Sequence, residues 1–349
     1  MSKHNNKHNS KEIDRLKKIV EAFPQTTVTV LADLVADEFI FGEISRVSRE
    51  APVLILKHRE RKVVPGGGAN AIYNLSDLGV NVLPVGVVGE DETGRLLLQQ
   101  FKKKRIPLTG IQRDRDYTTV TKTRILAGMA HGWRQQVVRL DREPSGELTR
   151  HLNRELILAT REYSKASDAL LVSDYGYGAA TPQILDAVRQ KSRLDDMPVT
   201  LDSRYRLLEF SGITAATPNE AEVETALRTN ISQDWRKFVD AGEEILRRMK
   251  LESLVVTRGR DGMVAFTRRH KPLDIPCFGA EEVTDVTGAG DTVIATLTAA
   301  LAAGASTDEA AHLANYAGGI VVMKRGTATV SQSELMHALE QAPPAVRPH

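Results

Sequence analysis

The sequence predicts an α/β fold: a three-layer αβα sandwich on a mostly parallel sheet, with a small β-ribbon lid outside it. Three observations carry this expectation. Short apolar runs alternate with amphipathic helical stretches, the rhythm of βα units. Two regions break that rhythm with paired extended pieces that no helix follows. The composition, 41% apolar and 26% charged, is that of an ordinary globular chain rather than a disordered or fibrous one.

Taken in order, residues 1–22 read as a polar N-terminal tail and lead-in helix. MSKHNNKHNSK has positive charge but lacks the apolar core of a signal peptide. Residues 27–32 (TVTVLA) read as a buried strand and 38–59 as two extended pieces around SRVSREAP. Residues 68–78 have helical spacing, 81–88 are strand-like, and 92–104 form an amphipathic helix. Residues 119–140 supply two more extended pieces around a tip at 128–132. The pieces at about 38–59 and 119–140 are expected to form the lid as antiparallel ribbons. Strands follow at 169–173, 198–202 and 212–216, with helices at 182–192, 219–227 and 233–249. Residues 254–257 read as a strand that turns back through a hairpin at 262–267. Two Ala-rich helices, 290–303 and 306–323, complete a domain over 23–335, and 336–349 reads as a C-terminal tail. The length of 349 residues fits two domains or one large α/β domain.

Several function classes are disfavoured. Lys and Arg number 47 against 45 Asp and Glu, too balanced for a protein built to bind a phosphate backbone, so nucleic acid is not the expected partner. The longest apolar stretch, 292–303, is too short to span a bilayer, and no membrane partner is expected. One cysteine, Cys277, allows no internal disulfide, which fits a reducing, cytoplasmic location. Histidine and cysteine show no metal-ligand spacing, and there is no GxxxxGK[ST] loop.

The strongest local signal is DVTGAGDT at residues 285–292. Gly288, Ala289 and Gly290 open a helix whose free amides and dipole favour an anion. Asp291 in the same first turn is placed to take a proton from an attacking hydroxyl, which suits phosphoryl transfer. The alternative is a Gly-rich turn with a carboxylate that merely suits a helix start. A second stretch, PGGGAN at 65–70, also opens a helix; Asn70 offers a donor and an acceptor to a hydroxylated ligand, or the stretch is a flexible turn. Asp33, Asp37 and Asp174 end or follow apolar strands, where ligand crevices of parallel sheets lie, or they are solvated loop carboxylates. In TPNEAE, Asn219 and Glu222 have the spacing of a helix cap; the functional alternative is a metal-bound phosphate. Residues 257–262 (TRGRDG) form either a hairpin turn or a nucleotide loop.

In this order the motifs resemble those of the ribokinase-like, PfkB-type sugar kinases. The likeness covers about residues 28–330. Within that group SRVSREAPV, VPGGGANAIYNLSDLGVNV, VVRLDRE, LVSDYGYG, TPNEAE and EVTDVTGAGDTVIATLTAALAAG look like D-glycero-β-D-manno-heptose 7-phosphate 1-kinases, in a kinase-only form that serves ADP-heptose and lipopolysaccharide core synthesis. The resemblance implies Asp291 as catalytic base and Gly288, Ala289 and Gly290 as an oxyanion-type hole. It implies Asn219 and Glu222 near Mg²⁺ and the ATP phosphates, Glu222 indirectly, and Thr257, Gly259, Gly262 and Asn315 along the nucleotide. Asp33, Gly67, Gly68, Asn70 and Asp174 would hold the sugar, and the lid would close over it and form a homodimer contact. The implied cofactors are ATP, Mg²⁺ and a monovalent cation such as K⁺. Two positions depart from the heptose kinases: Tyr177 and Ser203 stand where that group has lysine. A distal phosphate needs cationic partners once it leaves water, and Arg204 with Lys122 or Arg124 are the candidates. A PfkB-type kinase for another sugar, or a catalytically silent binding module, are the competing readings.

Overall fold

In a computed structural model of the chain, residues 2–128, 134–190, 194, 197–231, 234–268, 270–279, 284–324 and 326–341 are described. The order begins α1 (Ser2–Ala22), β1 (Thr27–Ala32), β2 (Leu34–Val47), β3 (Leu54–Gly66), α2 (Gly67–Asp77), β4 (Asn81–Gly89) and α3 (Glu92–Lys103). It continues β5 (Ile111–Asp114), β6 (Val120–Gly128), β7 (Gln135–Arg142), α4 (Arg150–Ser164), β8 (Ala169–Asp174), α5 (Pro182–Arg189) and β9 (Val199–Ser203). Then come β10 (Ala215–Ala216), α6 (Glu220–Leu227), α7 (Trp235–Arg248), β11 (Ser253–Thr257), β12 (Met263–Thr267) and β13 (His270–Ile275). The chain closes with α8 (Ala289–Ala302), α9 (Thr307–Val322) and α10 (Gln332–Gln341).

Nine strands form the main sheet, in the order β13-β12-β11-β10-β9-β8-β1-β4-β5. Pairing is parallel from β5 to β11 and antiparallel only at β11–β12–β13, where the chain makes the expected hairpin. One face packs on α1, α2, α3, α8, α9 and α10, through residues such as Ile72, Phe101, Ile294 and Leu313. The other packs on α4 to α7, through Leu156, Leu185, Val223 and Ile245. Strands covered on both faces read as continuous apolar runs, which is why β1, β8 and β11 stand out in the sequence. Among the described residues no helix is long and apolar enough to cross a membrane.

The lid is a four-stranded sheet in the order β3-β2-β6-β7. Its two hairpins are antiparallel as expected, but β2 and β6 pair in parallel, so the ribbons join into one sheet. The strands are also longer than the sequence pattern indicates, because β2 starts directly after Asp33 and β3 runs to Gly66. Buried Glu38 ties the lid together: it accepts from Arg61 at 2.5 Å and from Thr123 at 2.5 Å, and Arg142 lies 3.6 Å away. Most of the expected 128–132 tip lies outside the described residues.

Helix α4 goes unread in the sequence, and half of the buried stripe that recurs every four residues, Leu152, Leu156, Thr160 and Ser164, is polar. The C-terminal boundary also moves. Leu335, Ala338 and Leu339 of α10 are buried against the main core, so order extends to Gln341 rather than stopping at 335.

Candidate active site

The C-terminal ends of the parallel strands, the first turns of α2 and α8 and the lid converge on Asp291. Helix α8 starts at Gly288, which is left-handed with φ 81°, and no side chain caps it. Among the described residues the amides of Gly290 and Asp291 have no acceptor, which leaves an anion-binding helix terminus. A Cβ at Gly290 would meet nothing within 4 Å, so this terminus borders open space.

Asp291 itself is buried, and both carboxylate oxygens are held. Asn70 Nδ2 donates to Oδ2 at 2.9 Å, and the Tyr175 hydroxyl donates to Oδ1 at 2.7 Å. Burial pushes its pKa from 3.8 up to about 6, against the lowering effect of those two bonds. The glycines are needed for this approach: a Cβ on Gly288 would sit 2.6 Å from Asn70 Nδ2. Asn74, one turn along α2, accepts from Thr292 at 3.1 Å and donates to the Asn70 carbonyl at 3.0 Å. The two helix starts are thereby locked in register.

The lid contributes Lys122, whose Nζ lies 4.9 Å from the Tyr175 ring centroid and 5.9 Å from that of Tyr177. Burial lowers the Lys122 pKa, and nearby Arg204 adds to the effect. Arg124, by contrast, is committed to Asp37 at 2.5 Å. The expected cation pair is therefore Lys122 with Arg204, whose side chain is exposed.

On the other side, β10 and β11 bring Asn219 beside Thr257 in a parallel bridge. Asn219 and Glu222 form the full capping box of α6, with bonds of 2.9 Å in each direction. The cap reading is correct, and among the described residues it leaves one Glu222 oxygen without a hydrogen bond. Burial raises the Glu222 pKa. Asp202, at the end of β9, is half-buried; burial and the neighbouring Glu222 and Asp291 push it well above the carboxylate range. Among the described residues the Thr217 hydroxyl on the same edge is buried without a partner.

Four expected contacts are engaged within the protein. Asp33 is fully buried and accepts the amides of Tyr175 and Tyr177 at 2.9 Å each and Ala179 at 2.8 Å, so it shapes the loop after β8. Asp174 is paired with Arg206 and with Ser203 Oγ at 2.7 Å. Arg206 thus neutralises the carboxylate beside the missing lysine. Gly262 belongs to the hairpin, where a Cβ would strike the Ile275 carbonyl at 2.1 Å. Asn315 donates to the Pro276 carbonyl at 2.9 Å and fixes that turn on α9. Gly67 is buried against Val35 of β2 and Tyr175 and Gly68 against Ala32 of β1, while Gly259 faces open space.

Sequence reasoning left Asp202, Tyr175 and Thr217 without roles. A signal existed for Asp202, since it ends an apolar strand just as Asp174 does. Tyr175 had none, because its partner lies 116 residues away.

With this geometry in hand, the comparisons decide the family. Residues 33–334 match the family described as "pfkB family carbohydrate kinase". The chain belongs to the PfkB family of carbohydrate kinases. The bifunctional protein HldE of Geobacter sulfurreducens is 39% identical over 311 residues, covering 89% of this chain and 62% of that protein. The HldE of Gluconobacter oxydans is 37% identical over 93% of this chain and 67% of its own. The chain thus spans less than two thirds of the length of the first of these relatives. Arabidopsis thaliana ribokinase, solved with ribose and ATP, superposes with a TM-score of 0.70 at 18% identity, over 90% of this chain and 99% of its own. Phosphofructokinase-2 from Escherichia coli gives the same score, identity and coverage. These two show a ribokinase-like fold.

Proposed function

We propose that this kinase phosphorylates the anomeric hydroxyl of a heptose 7-phosphate of the D-glycero-D-manno type, in ADP-heptose synthesis. The single observation that carries the chemistry is the buried Asp291 carboxylate held by Asn70 and Tyr175 at an uncapped helix terminus. Similarity to HldE over 89% of the chain supports the sugar.

ATP fits the residues present: the open α8 terminus would take phosphate oxygens, and Thr257 and Gly259 border the same strand edge. Among the described residues no group of three or more His, Cys, Asp and Glu could hold a metal ion. Mg²⁺ characteristically keeps several waters and binds through few carboxylates plus phosphates. Glu222 would then serve it through water, and a potassium complex of the fold neighbour phosphofructokinase-2 is in keeping with a monovalent cation. When bound, Mg²⁺–ATP supplies the phosphoryl group and neutralises its charge.

The chain's own residues do the rest. Asn70 and the lid place the sugar hydroxyl at Asp291. With a pKa of about 6 the carboxylate is mostly ionised at neutral pH and accepts the hydroxyl proton as the oxygen bonds to phosphorus. The amides of Gly290 and Asp291 steady the charge on the phosphoryl oxygens. Lys122 and Arg204 meet the distal phosphate and offset the cation absent at Tyr177. Exposed Val47, Val53, Leu54, Val138 and Leu140 on the lid support self-association through it. A coupled ADP-release assay over a sugar panel tests the reading. Heptose 7-phosphate is expected to give the highest kcat/KM; ATP binding without turnover of any sugar would favour a silent binding module.

A further inference from the structure

The Asp291 environment contains a side chain that neither the motif logic nor the family resemblance assigns. Tyr175 is the hub of three contacts from different parts of the fold. Its amide is held by Asp33 at 2.9 Å, its hydroxyl donates to Asp291 Oδ1 at 2.7 Å, and its ring faces Lys122 of lid strand β6 at 4.9 Å. The buried Asp33 also holds Tyr177 and Ala179, so the loop that carries Tyr175 is rigid at its root. The phenol keeps its proton, because burial and the neighbouring Asp291 push its pKa well above the ordinary value. A hydroxyl that stays protonated can only donate to the carboxylate, and so favours its ionised form.

We propose that Tyr175 is the positioning residue for Asp291, aiming the carboxylate with its hydroxyl and linking it to the lid through the ring face that Lys122 covers. The proposal rests on the reading of Asp291 as the base. In the transfer step the sugar O–H bond breaks, its proton goes to an Asp291 oxygen, and the freed oxygen pair bonds to phosphorus as the bond to ADP breaks. Tyr175 neither gains nor loses a proton. The bond from Tyr175 leaves Oδ2, with Asn70 as its partner, as the oxygen where the substrate hydroxyl competes. Other charged groups act on Asp291 from β2, β6 and β9: Asp37 raises its pKa, Lys122 lowers it, and Asp202 is repelled by it. Arg204 acts on Tyr175 itself.

The test is Tyr175→Phe, which keeps the ring that Lys122 faces and removes only the hydroxyl. Two readouts are taken: the acid limb of kcat/KM against pH, and a carbon-13 NMR titration of the Asp291 carboxyl in the substrate-free enzyme. A hydrogen bond to a charged group carries enough energy to move the limb up by about one unit, so kcat/KM at pH 6 falls several-fold further than at pH 8.5. The NMR titration is expected to move in the same direction. Incorporating 3-fluorotyrosine at position 175, a near-isosteric change that strengthens the donor, should move both downward and guards against misfolding of the Phe variant. A loss that is uniform across pH, or an Asp291 titration unmoved by both changes, overturns the proposal. If Asp291→Asn keeps full activity, the base assignment fails instead, and the NMR titration still reports on Tyr175.

Discussion

Asn70 Nδ2 lies 2.9 Å from Asp291 Oδ2, a bond that spans 221 residues and joins the starts of helices α2 and α8. Each helix opens on its own glycine-rich stretch, and the bond exists because Gly288 has no Cβ to block it. The two strongest motifs in the sequence are therefore halves of one device, with a carboxylate at its centre.

Asp291→Asn is expected to lower kcat by roughly 10²–10⁴-fold, the usual contribution of a general base, while ATP affinity changes little. Stability should respond in the opposite sense. A carboxyl raised from 3.8 to about 6 costs the native state about 3 kcal/mol once it is ionised. That cost is absent below about pH 4, where the group is protonated folded and unfolded, and complete above about pH 6. Relative to the Asn variant, the native protein should thus lose stability between pH 4 and 7; denaturant melts at both pH values measure the difference. A constant gap would contradict the buried, raised carboxyl.

Gly288→Ala places a methyl 2.6 Å from Asn70 Nδ2 at a residue with φ 81°. Strain in the left-handed region alone costs about 1–2 kcal/mol. Displacing Asn70 should also depress kcat at every pH. Melting and steady-state kinetics check both, and unchanged kinetics would show that the Asn70–Asp291 bond is dispensable.

Glu222→Gln separates the cap from the metal role. Glutamine can complete a capping box, so the melting temperature should hardly move. If the carboxylate serves Mg²⁺, the free Mg²⁺ needed for half-maximal activity should rise several-fold. An unchanged metal dependence would reduce Glu222 to a structural cap.

Much of the main sheet is legible in the sequence because strands buried on both faces form continuous apolar runs. The motif around Asp291 is legible because its small residues and acid are local. What is hidden depends on distant partners. The amide bonds that Asp33 accepts come from Tyr175 and Tyr177, the first 142 residues downstream, and no local pattern announces them. The parallel pairing of β2 with β6 is equally non-local, and no pattern within either strand specifies it. Asn219 and Glu222, spaced three apart, are read correctly as a cap because that interaction is contained within one helical turn.

Arg204→Ala probes the sugar side. Arg204 is exposed, lies near Lys122 and Glu222, and has no lysine neighbour at 203 to replace it. Losing a charge-assisted contact to phosphate should raise KM for a phosphorylated sugar by about tenfold or more and leave KM for ATP nearly unchanged. Equal effects on both substrates would place Arg204 on the nucleotide side.

The most direct test of the central claim is phosphorus-31 NMR of the product formed from ATP and D-glycero-D-manno-heptose 7-phosphate. The expected result is a second phosphate on the anomeric carbon, one ADP per product, and product formed roughly 10²–10⁴-fold more slowly with Asp291→Asn. Phosphorylation at another hydroxyl, or turnover only with sugars that carry no phosphate, would contradict it.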